Sequence, residues 1–317
     1  MNCYFSIIIP VYNRPNEIDE LLASFTSQDY ASPFEIIIIE DGSTLTCESV
    51  VKQYEDSLFL RYFYKENSGP GASRNFGMQR AKGDYFIILD SDVILPPQYL
   101  SEVDKALQFN YTDAFGGPDA SHDSFSNLQK AINYSMTSVL TTGGIRGKKT
   151  AVGKFQPRSF NMGISKKAFQ KTKGFADYRA GEDIDLTFRL WQNQFKTQLI
   201  TNAFVYHKRR STLKQFLKQT YAFGTARPLL NKRYPSSAKI TYWFPSLFII
   251  GLFFSIMLAF VNWPIFITLY SLYFVFIFIH SLIVNKNSIV ALYSILTSVT
   301  QFLGYGSGFF YSYLIKK

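Results

Sequence analysis

Short apolar runs alternate with amphipathic stretches over the first ninety residues. Phe5–Pro10, Glu35–Ile39, Leu58–Tyr64 and Asp84–Leu89 are near-continuous apolar runs, the pattern of parallel strands buried on both faces. Between them, Asn16–Gln28, Leu45–Tyr54 and Ala72–Ala81 carry apolar residues at helical spacing. The order β-α-β-α-β-α-β predicts a doubly wound, mostly parallel α/β sheet. Beyond Tyr206 the pattern changes. Residues 240–285 contain no formally charged side chain; as a helix they would run about 69 Å, roughly twice the ~30 Å thickness of a hydrocarbon core. Asn262-Trp263-Pro264 interrupts them with a polar residue, an interfacial indole and a helix breaker, which predicts transmembrane helices near 243–261 and 265–284. Ser288–Ile315 is a third uncharged stretch. Its Gly304, Gly306 and Gly308, with several Ser and Tyr, leave a tilted or re-entrant segment open beside a full crossing. His280 falls inside the second span without an acid nearby and reads as a packing or interhelical hydrogen-bonding group.

Charge sharpens this division. The 317 residues carry 33 basic and 23 acidic side chains, yet residues 206–317 hold twelve Lys/Arg and no Asp or Glu. Lys208, Arg209, Arg210, Lys214, Lys218, Arg227, Lys232, Arg233 and Lys239 precede the first apolar span. Positive flanks stay cytoplasmic, so the N-terminal domain is expected to face the cytosol from a cytoplasmic (inner) membrane. Leu213, Phe216, Leu217, Thr220, Tyr221 and Gly224 recur at helical spacing, as in an amphipathic helix on anionic lipid. The expected domains are residues 1–206, a basic juxtamembrane segment at 207–241, and a membrane region of two to three helices at 242–317. A nucleic-acid role is not expected, because the basic cluster abuts a membrane span and no base-stacking module is visible. Lys316 and Lys317 would fall outside if all three spans cross, against the positive-inside tendency. The apolar run at the N-terminus is too short and lacks the basic start of a signal peptide. Cys3 and Cys47 form no CxxC or Cys/His spacing, which suits a reducing compartment.

Ligands on a doubly wound sheet bind beyond the carboxyl ends of its strands, so the chemistry is sought there. Strand one runs into Pro10-Val11-Tyr12-Asn13-Arg14-Pro15 with no GxGxxG, which removes the dinucleotide fingerprint. Strand two ends in Glu40-Asp41-Gly42-Ser43, and strand four in Asp90-Ser91-Asp92. Two carboxylates this close repel unless a cation sits between them, and their hard oxygens suit Mg²⁺ or Mn²⁺ bridging to phosphate. An isolated DxD is a weak signal, strengthened here by its place at a strand end.

Ile7-Ile8-Ile9-Pro10-Val11-Tyr12-Asn13, Ile38-Ile39-Glu40-Asp41-Gly42-Ser43, Asn67-Ser68-Gly69-Pro70-Gly71-Ala72-Ser73-Arg74-Asn75 and Asp90-Ser91-Asp92 come in an order that resembles the family 2 inverting glycosyltransferases of GT-A fold. Asn161-Met162-Gly163-Ile164, Gly174-Phe175-Ala176-Asp177 and Gly181-Glu182-Asp183-Ile184-Asp185-Leu186 resemble that family's acceptor-side segments, so the likeness runs over roughly residues 4–210. It implies a nucleotide-diphospho-sugar donor. Asp41 would hydrogen-bond its base, with Pro10, Tyr12, Arg14 and Glu17 lining the base and ribose pocket. Arg74 and Asn75, at the start of a helix whose free N–H groups favour an anion, would help hold the nucleotide. Asp90 and Asp92 would bind the donor ribose and, through Mn²⁺ or Mg²⁺, the diphosphate, with Ser91 among the residues that bind the nucleotide sugar. Glu40 departs from the family's usual acidic pair. Asp183 is the expected general base, taking the acceptor hydroxyl's proton opposite the leaving group; Asp185 would serve its own helix start. His207 is expected to complete the metal site or touch the diphosphate, with a structural histidine as the other reading. His122 reads as a surface residue. Ser124–Leu140 is a plausible helix that could line the acceptor site or touch the membrane.

Processive synthases of the family carry Gln-x-x-Arg-Trp beyond the acidic segment, and Gln215-Phe216-Leu217-Lys218-Gln219 lacks the Arg-Trp pair. The resemblance therefore implies transfer of a single sugar to a hydroxyl, on a lipid-linked glycan or other envelope glycoconjugate. Two alternatives stay open: a polyprenyl-phosphate sugar synthase and a non-catalytic nucleotide-sugar-binding membrane protein.

Overall fold

A computed structural model describes residues 3–143, 155–178 and 180–315. In chain order the elements are β1 (Phe5–Val11), α1 (Pro15–Thr26), β2 (Phe34–Asp41), α2 (Glu48–Lys52), β3 (Leu60–Lys65), α3 (Pro70–Arg80), β4 (Tyr85–Leu89), β5 (Val93–Ile94), α4 (Tyr99–Phe109), β6 (Ala114–Gly116), β7 (Asp119–Ala120), α5 (Asn127–Thr137), α6 (Val139–Thr142), β8 (Asn161–Ser165), α7 (Lys166–Thr172), α8 (Glu182–Gln192), β9 (Thr197–Leu199), β10 (Val205–His207), α9 (Leu213–Arg233), α10 (Phe244–Phe260), α11 (Ile265–Asn285) and α12 (Ser288–Ile315). The chain divides into two compact units, Met1–Ala120 with Arg146–Lys208, and Ser121–Ile145 with Arg209–Lys317. The second unit takes in Ser121–Ile145 from the middle of the chain.

The first unit is the expected α/β sheet. Its order is β3-β2-β1-β4-β8-β6-β9, parallel through β3, β2, β1 and β4, with β8 antiparallel to both β4 and β6. Successive side chains of a strand point to opposite faces, and the isoleucine runs fill both. Ile7, Ile9, Ile36, Ile38 and Ile87 meet α1 and α4 residues such as Leu21, Phe25, Leu100 and Val103. Ile8, Ile37, Ile39, Phe86 and Ile88 meet Met78 of α3 and Leu186 and Leu190 of α8. From β1 the chain runs on to β2 and from β4 towards β6, in opposite directions along the sheet, so Arg14, Asp41 and Asp90 emerge on one rim at the switch point between neighbouring strands. A second, three-stranded sheet, β5-β10-β7, pairs His207 with Val93 and brings the end of this unit back to the rim.

In the second unit three helices are long and apolar enough to cross a membrane: Ile240–Phe260, Ile265–Asn285 and Ser288–Ile315. The third is one unbroken helix. Its glycines are used for packing: a Cβ at Gly304 would collide with Thr220 Oγ1 of α9, and one at Gly308 with the Tyr221 carbonyl. Phe216, Thr220 and Gly224 are correspondingly buried on α9, while Lys214 and Lys218 face outward. The helix expected within Ser124–Leu140 forms as α5 and α6 and joins this bundle, where Thr297 Oγ1 donates to the Ala131 carbonyl at 3.1 Å. His280 Nδ1 lies 2.8 Å from Tyr134 Oη, a hydrogen bond between α11 and α5. Lys316 and Lys317 lie outside the described residues.

Candidate active site

The acidic loop after β4 is held on two sides. Asp90 N donates to the Phe160 carbonyl at 3.3 Å, and Lys208 N to the Asp92 carbonyl at 2.8 Å. Because β10 runs antiparallel to β5, the His207 ring returns to this loop: Nε2 is 3.3 Å from Asp92 Oδ1, Nδ1 is 3.8 Å from Asp119 Oδ2, and Phe160 stacks on the ring at 4.9 Å. Arg14 closes the other side through an ion pair with Asp92 Oδ2. Burial would push the Asp92 carboxyl up, but His207 and Arg14 hold it well below the usual carboxylate range. Burial opposes charge on Arg14, and Asp92 overrides it, so the guanidinium is held still more firmly protonated.

One ligand atom each from Asp90, Asp92 and His207 lies within 4.8 Å of the others. Asp92 Oδ1 is buried with His207 Nε2 3.3 Å away, so a carboxylate oxygen and an imidazole nitrogen are held side by side where a cation could take both. Two carboxylate oxygens and one imidazole nitrogen fit Mn²⁺ well, and Mg²⁺ with more water retained.

On the far side of Arg74 from this loop is α8. Gly181, at φ +82°, turns the chain so that Glu182 and Asp183 open the helix, where its free N–H groups favour carboxylates. Asp183 Oδ1 accepts from Ile184 N at 2.8 Å, and Oδ2 faces Arg158 Nη1 at 3.8 Å. Glu182 Oε1 pairs with Arg74 Nη1 at 3.1 Å, and Arg74 Nη2 pairs with Asp90 Oδ1 at 2.7 Å. Burial, then the neighbouring Asp183 charge, raise the Glu182 carboxyl despite Arg74. Asp90 and Glu182, the chain neighbour of Asp183, are thus joined through one buried guanidinium.

Residues 6–175 match the profile of glycosyl transferase family 2. The chain belongs to that family. Among its curated relatives, an uncharacterized glycosyltransferase of Rickettsia felis is 36% identical over 129 residues, which is 41% of this chain and 20% of the relative. Validoxylamine A glucosyltransferase of Streptomyces hygroscopicus subsp. jinggangensis is 37% identical over 101 residues, 31% of this chain and 24% of the relative. Poly(ribitol-phosphate) beta-N-acetylglucosaminyltransferase TarS of Staphylococcus aureus is 31% identical over 112 residues, 34% of this chain and 20% of TarS. The chain thus spans only about a fifth to a quarter of their length. Among solved structures, S. aureus TarS residues 1–349 align with TM-score 0.51 and 19% identity over 71% of this chain and 64% of that one. The mannosyltransferase PcManGT from Pyrobaculum calidifontis aligns with TM-score 0.63 and 14% identity over 95% of this chain and 87% of that one. These two establish likeness of fold.

In this family 2 chain the residues singled out from sequence fall into groups. Arg14, Asp90, Asp92 and His207 meet at one point of the rim, with Ser91 buried between the two aspartates. Asp41 sits at the neighbouring strand end, its carboxylate taken by Lys65 and by Ser68 N and Gly69 N, both at 2.9 Å. Burial works against that charge, yet Lys65 and these N–H groups hold Asp41 below its usual value. Tyr12 is exposed and Pro10 and Glu17 half-buried at the end of β1 and the start of α1. Asn75 is engaged elsewhere: its amide donates to the Phe175 carbonyl and accepts from Phe175 N, both at 2.8 Å, so it clamps the turn before α8. Glu40 is buried against Ser43, Cys47 N and Tyr62 Oη, staples the loop after β2, and does not face the rim. Arg158 and Asp119 were not foreseen. Arg158 lies in an irregular connection and Asp119 in the two-residue strand β7, where only three-dimensional proximity marks them out.

Proposed function

We propose that this chain moves a single sugar, with inversion, from a nucleotide-diphospho-sugar to a hydroxyl acceptor, on a lipid-linked glycan or another envelope glycoconjugate. The observation that carries the reading is the ionic connection from the Asp90–Asp92–His207 group through Arg74 to Glu182, the residue next to Asp183. Asp90, Asp92 and His207 would hold Mn²⁺ or Mg²⁺, which supplies positive charge against the diphosphate as it leaves. Asp41, Pro10, Tyr12, Arg14, Glu17 and Ser91 would line the nucleotide. Arg74 would act on it through Asp90.

Asp183 takes the proton of the acceptor hydroxyl. That oxygen bonds to the anomeric carbon while the bond from this carbon to the diphosphate oxygen breaks, so the new bond forms on the opposite face. The donors named in relatives' structures, UDP-GlcNAc with TarS and GDP-Man with Mn²⁺ in PcManGT, set the first panel. The apolar helices would anchor the enzyme in the cytoplasmic membrane, with the basic stretch before the first span on anionic lipid and the catalytic unit facing the cytoplasm.

The test uses the full chain in detergent with a panel of nucleotide sugars, lipid-linked glycan acceptors and bare polyprenyl phosphate. EDTA is expected to abolish transfer and Mn²⁺ to restore it. Asp183→Asn is expected to lower transfer by about 10²–10⁴-fold with nucleotide affinity little changed. Turnover that survives in this variant would remove Asp183 from the base role. Label arriving on bare polyprenyl phosphate would replace the hydroxyl acceptor by a phosphate, and a full panel without turnover would favour a binding protein.

A further inference from the structure

Arg74 is buried to 4% exposure, and its two terminal nitrogens are divided between Asp90 and Glu182. Its flat face lies against the Phe175 ring, 5.2 Å from the centroid. The next residue, Asn75, closes both backbone groups of Phe175. From α8, Arg189 donates to the Thr172 and Gly174 carbonyls at 2.5 and 2.7 Å and to Asp185 at 2.8 Å. The base-bearing turn of α8 is therefore suspended from the start of α3 through Arg74, Asn75 and Phe175.

A guanidinium can hold two carboxylates in a fixed plane, whereas an ammonium is a single point of charge. Arg74 also sits in a balance: one positive charge lies between Asp90 on the donor side and the Glu182–Asp183 pair on the other. Whatever draws on the charge of Asp90 changes the pull left for Glu182. We infer that Arg74 is a positioning residue that couples occupancy at Asp90 to the order of the α8 turn carrying Asp183. For the identity of the base this rests on the function proposed above.

The experiment is hydrogen exchange on the full chain in detergent, with and without Mn²⁺ plus UDP or GDP. In the wild type, nucleotide with Mn²⁺ is expected to protect both the Asp90–Asp92 loop and the amides of Gly181–Asp185. The double variant Arg74→Met/Glu182→Gln removes the strut without leaving Glu182 charged and buried. It is expected to keep protection of the loop, to lose at least about fivefold of the protection at 181–185, and to bind nucleotide within about threefold of wild type. Arg74→Lys is expected to lose the same coupling, because a lysine reaches one carboxylate only. A purely structural role would make the thermal midpoint and the 181–185 protection recover together in the double variant; the inference expects the midpoint alone to recover. Protection at 181–185 that survives in the variants, or none in the wild type, overturns the inference. Nucleotide affinity weakened more than about tenfold would make Arg74 a direct nucleotide ligand and overturn it as well. An Asp183→Asn control separates the two readings: it keeps the exchange pattern if the coupling holds, whether or not transfer survives.

Discussion

Asn161 offers a demanding test of how the rim is built. The residue opens β8 and is fully buried. Its Oδ1 accepts from Tyr99 Oη at 2.6 Å, and its Nδ2 donates to the Ala203 carbonyl at 2.8 Å. Ala203 precedes β10 by two positions, so this amide sets where His207 meets Asp92. Asn161→Ala removes both bonds and strands two buried groups, each costing about 1–3 kcal/mol. The expected loss is therefore about 2–6 kcal/mol, a fall of about 4–24 °C in the thermal midpoint of a unit this size. Tyr99→Phe alone deletes one bond and leaves Asn161 Oδ1 stranded. Of the three groups that the singles strand, only the Ala203 carbonyl is left in Tyr99→Phe/Asn161→Ala, so the double variant should lie above the sum of the singles by about 2–3 kcal/mol. The assay is the thermal midpoint of the full chain in detergent, followed by near-ultraviolet circular dichroism, with Mn²⁺ titration of transfer beside it. A loss below about 1 kcal/mol for Asn161→Ala, or strict additivity, would refute the claim that this amide braces the loop.

Two further outcomes follow from buried contacts. Glu35 is wholly buried; burial would raise its carboxyl, but Ser6 Oγ, Lys82 N and Arg61 hold it below its usual value. Its stabilising contribution is thus present above the unfolded value of about 4.3 and is lost as pH falls through the lower folded value. Glu35→Gln should flatten the acid limb of the thermal midpoint below about pH 4.3, and an unchanged limb would count against it. Gly304→Val should lower the detergent midpoint of the helical unit by an amount matching about 1–3 kcal/mol, because its side chain meets Thr220 and the Leu217 carbonyl 2.8 Å from the Cβ. Leu303→Val, on an exposed position, should stay within about 0.5 kcal/mol.

The parallel half of the sheet was legible because strands covered on both faces cannot alternate, and Ile7–Ile9 and Ile36–Ile39 display that constraint directly. The helix expected at Leu45–Tyr54 forms only over Glu48–Lys52, since Glu40 captures Cys47 N and Ser43 and holds the preceding residues as a loop. Asp90 and Asp92 declared themselves by mutual repulsion at a strand end. No spacing rule could show that Asn75 would be used up by Phe175, or that Arg158 would face Asp183, because those pairings depend on how distant segments dock. Glycine at 304, 306 and 308 was ambiguous for a related reason. The residue that permits a bend also permits close approach, and Thr220 and Tyr221 of α9 decide between them.

The excursion through α5 has a practical consequence for anyone wishing to handle the catalytic half in water. Cutting the chain after residue 206 would discard α9, α11 and α12, against which Ile132, Tyr134 and Ala131 are buried. The excised fragment would present a greasy flap in the middle of its own sequence and should precipitate or require surfactant even with every hydrophobic span gone. A well-behaved fragment would need the 121–145 loop bridged by a short polar linker as well.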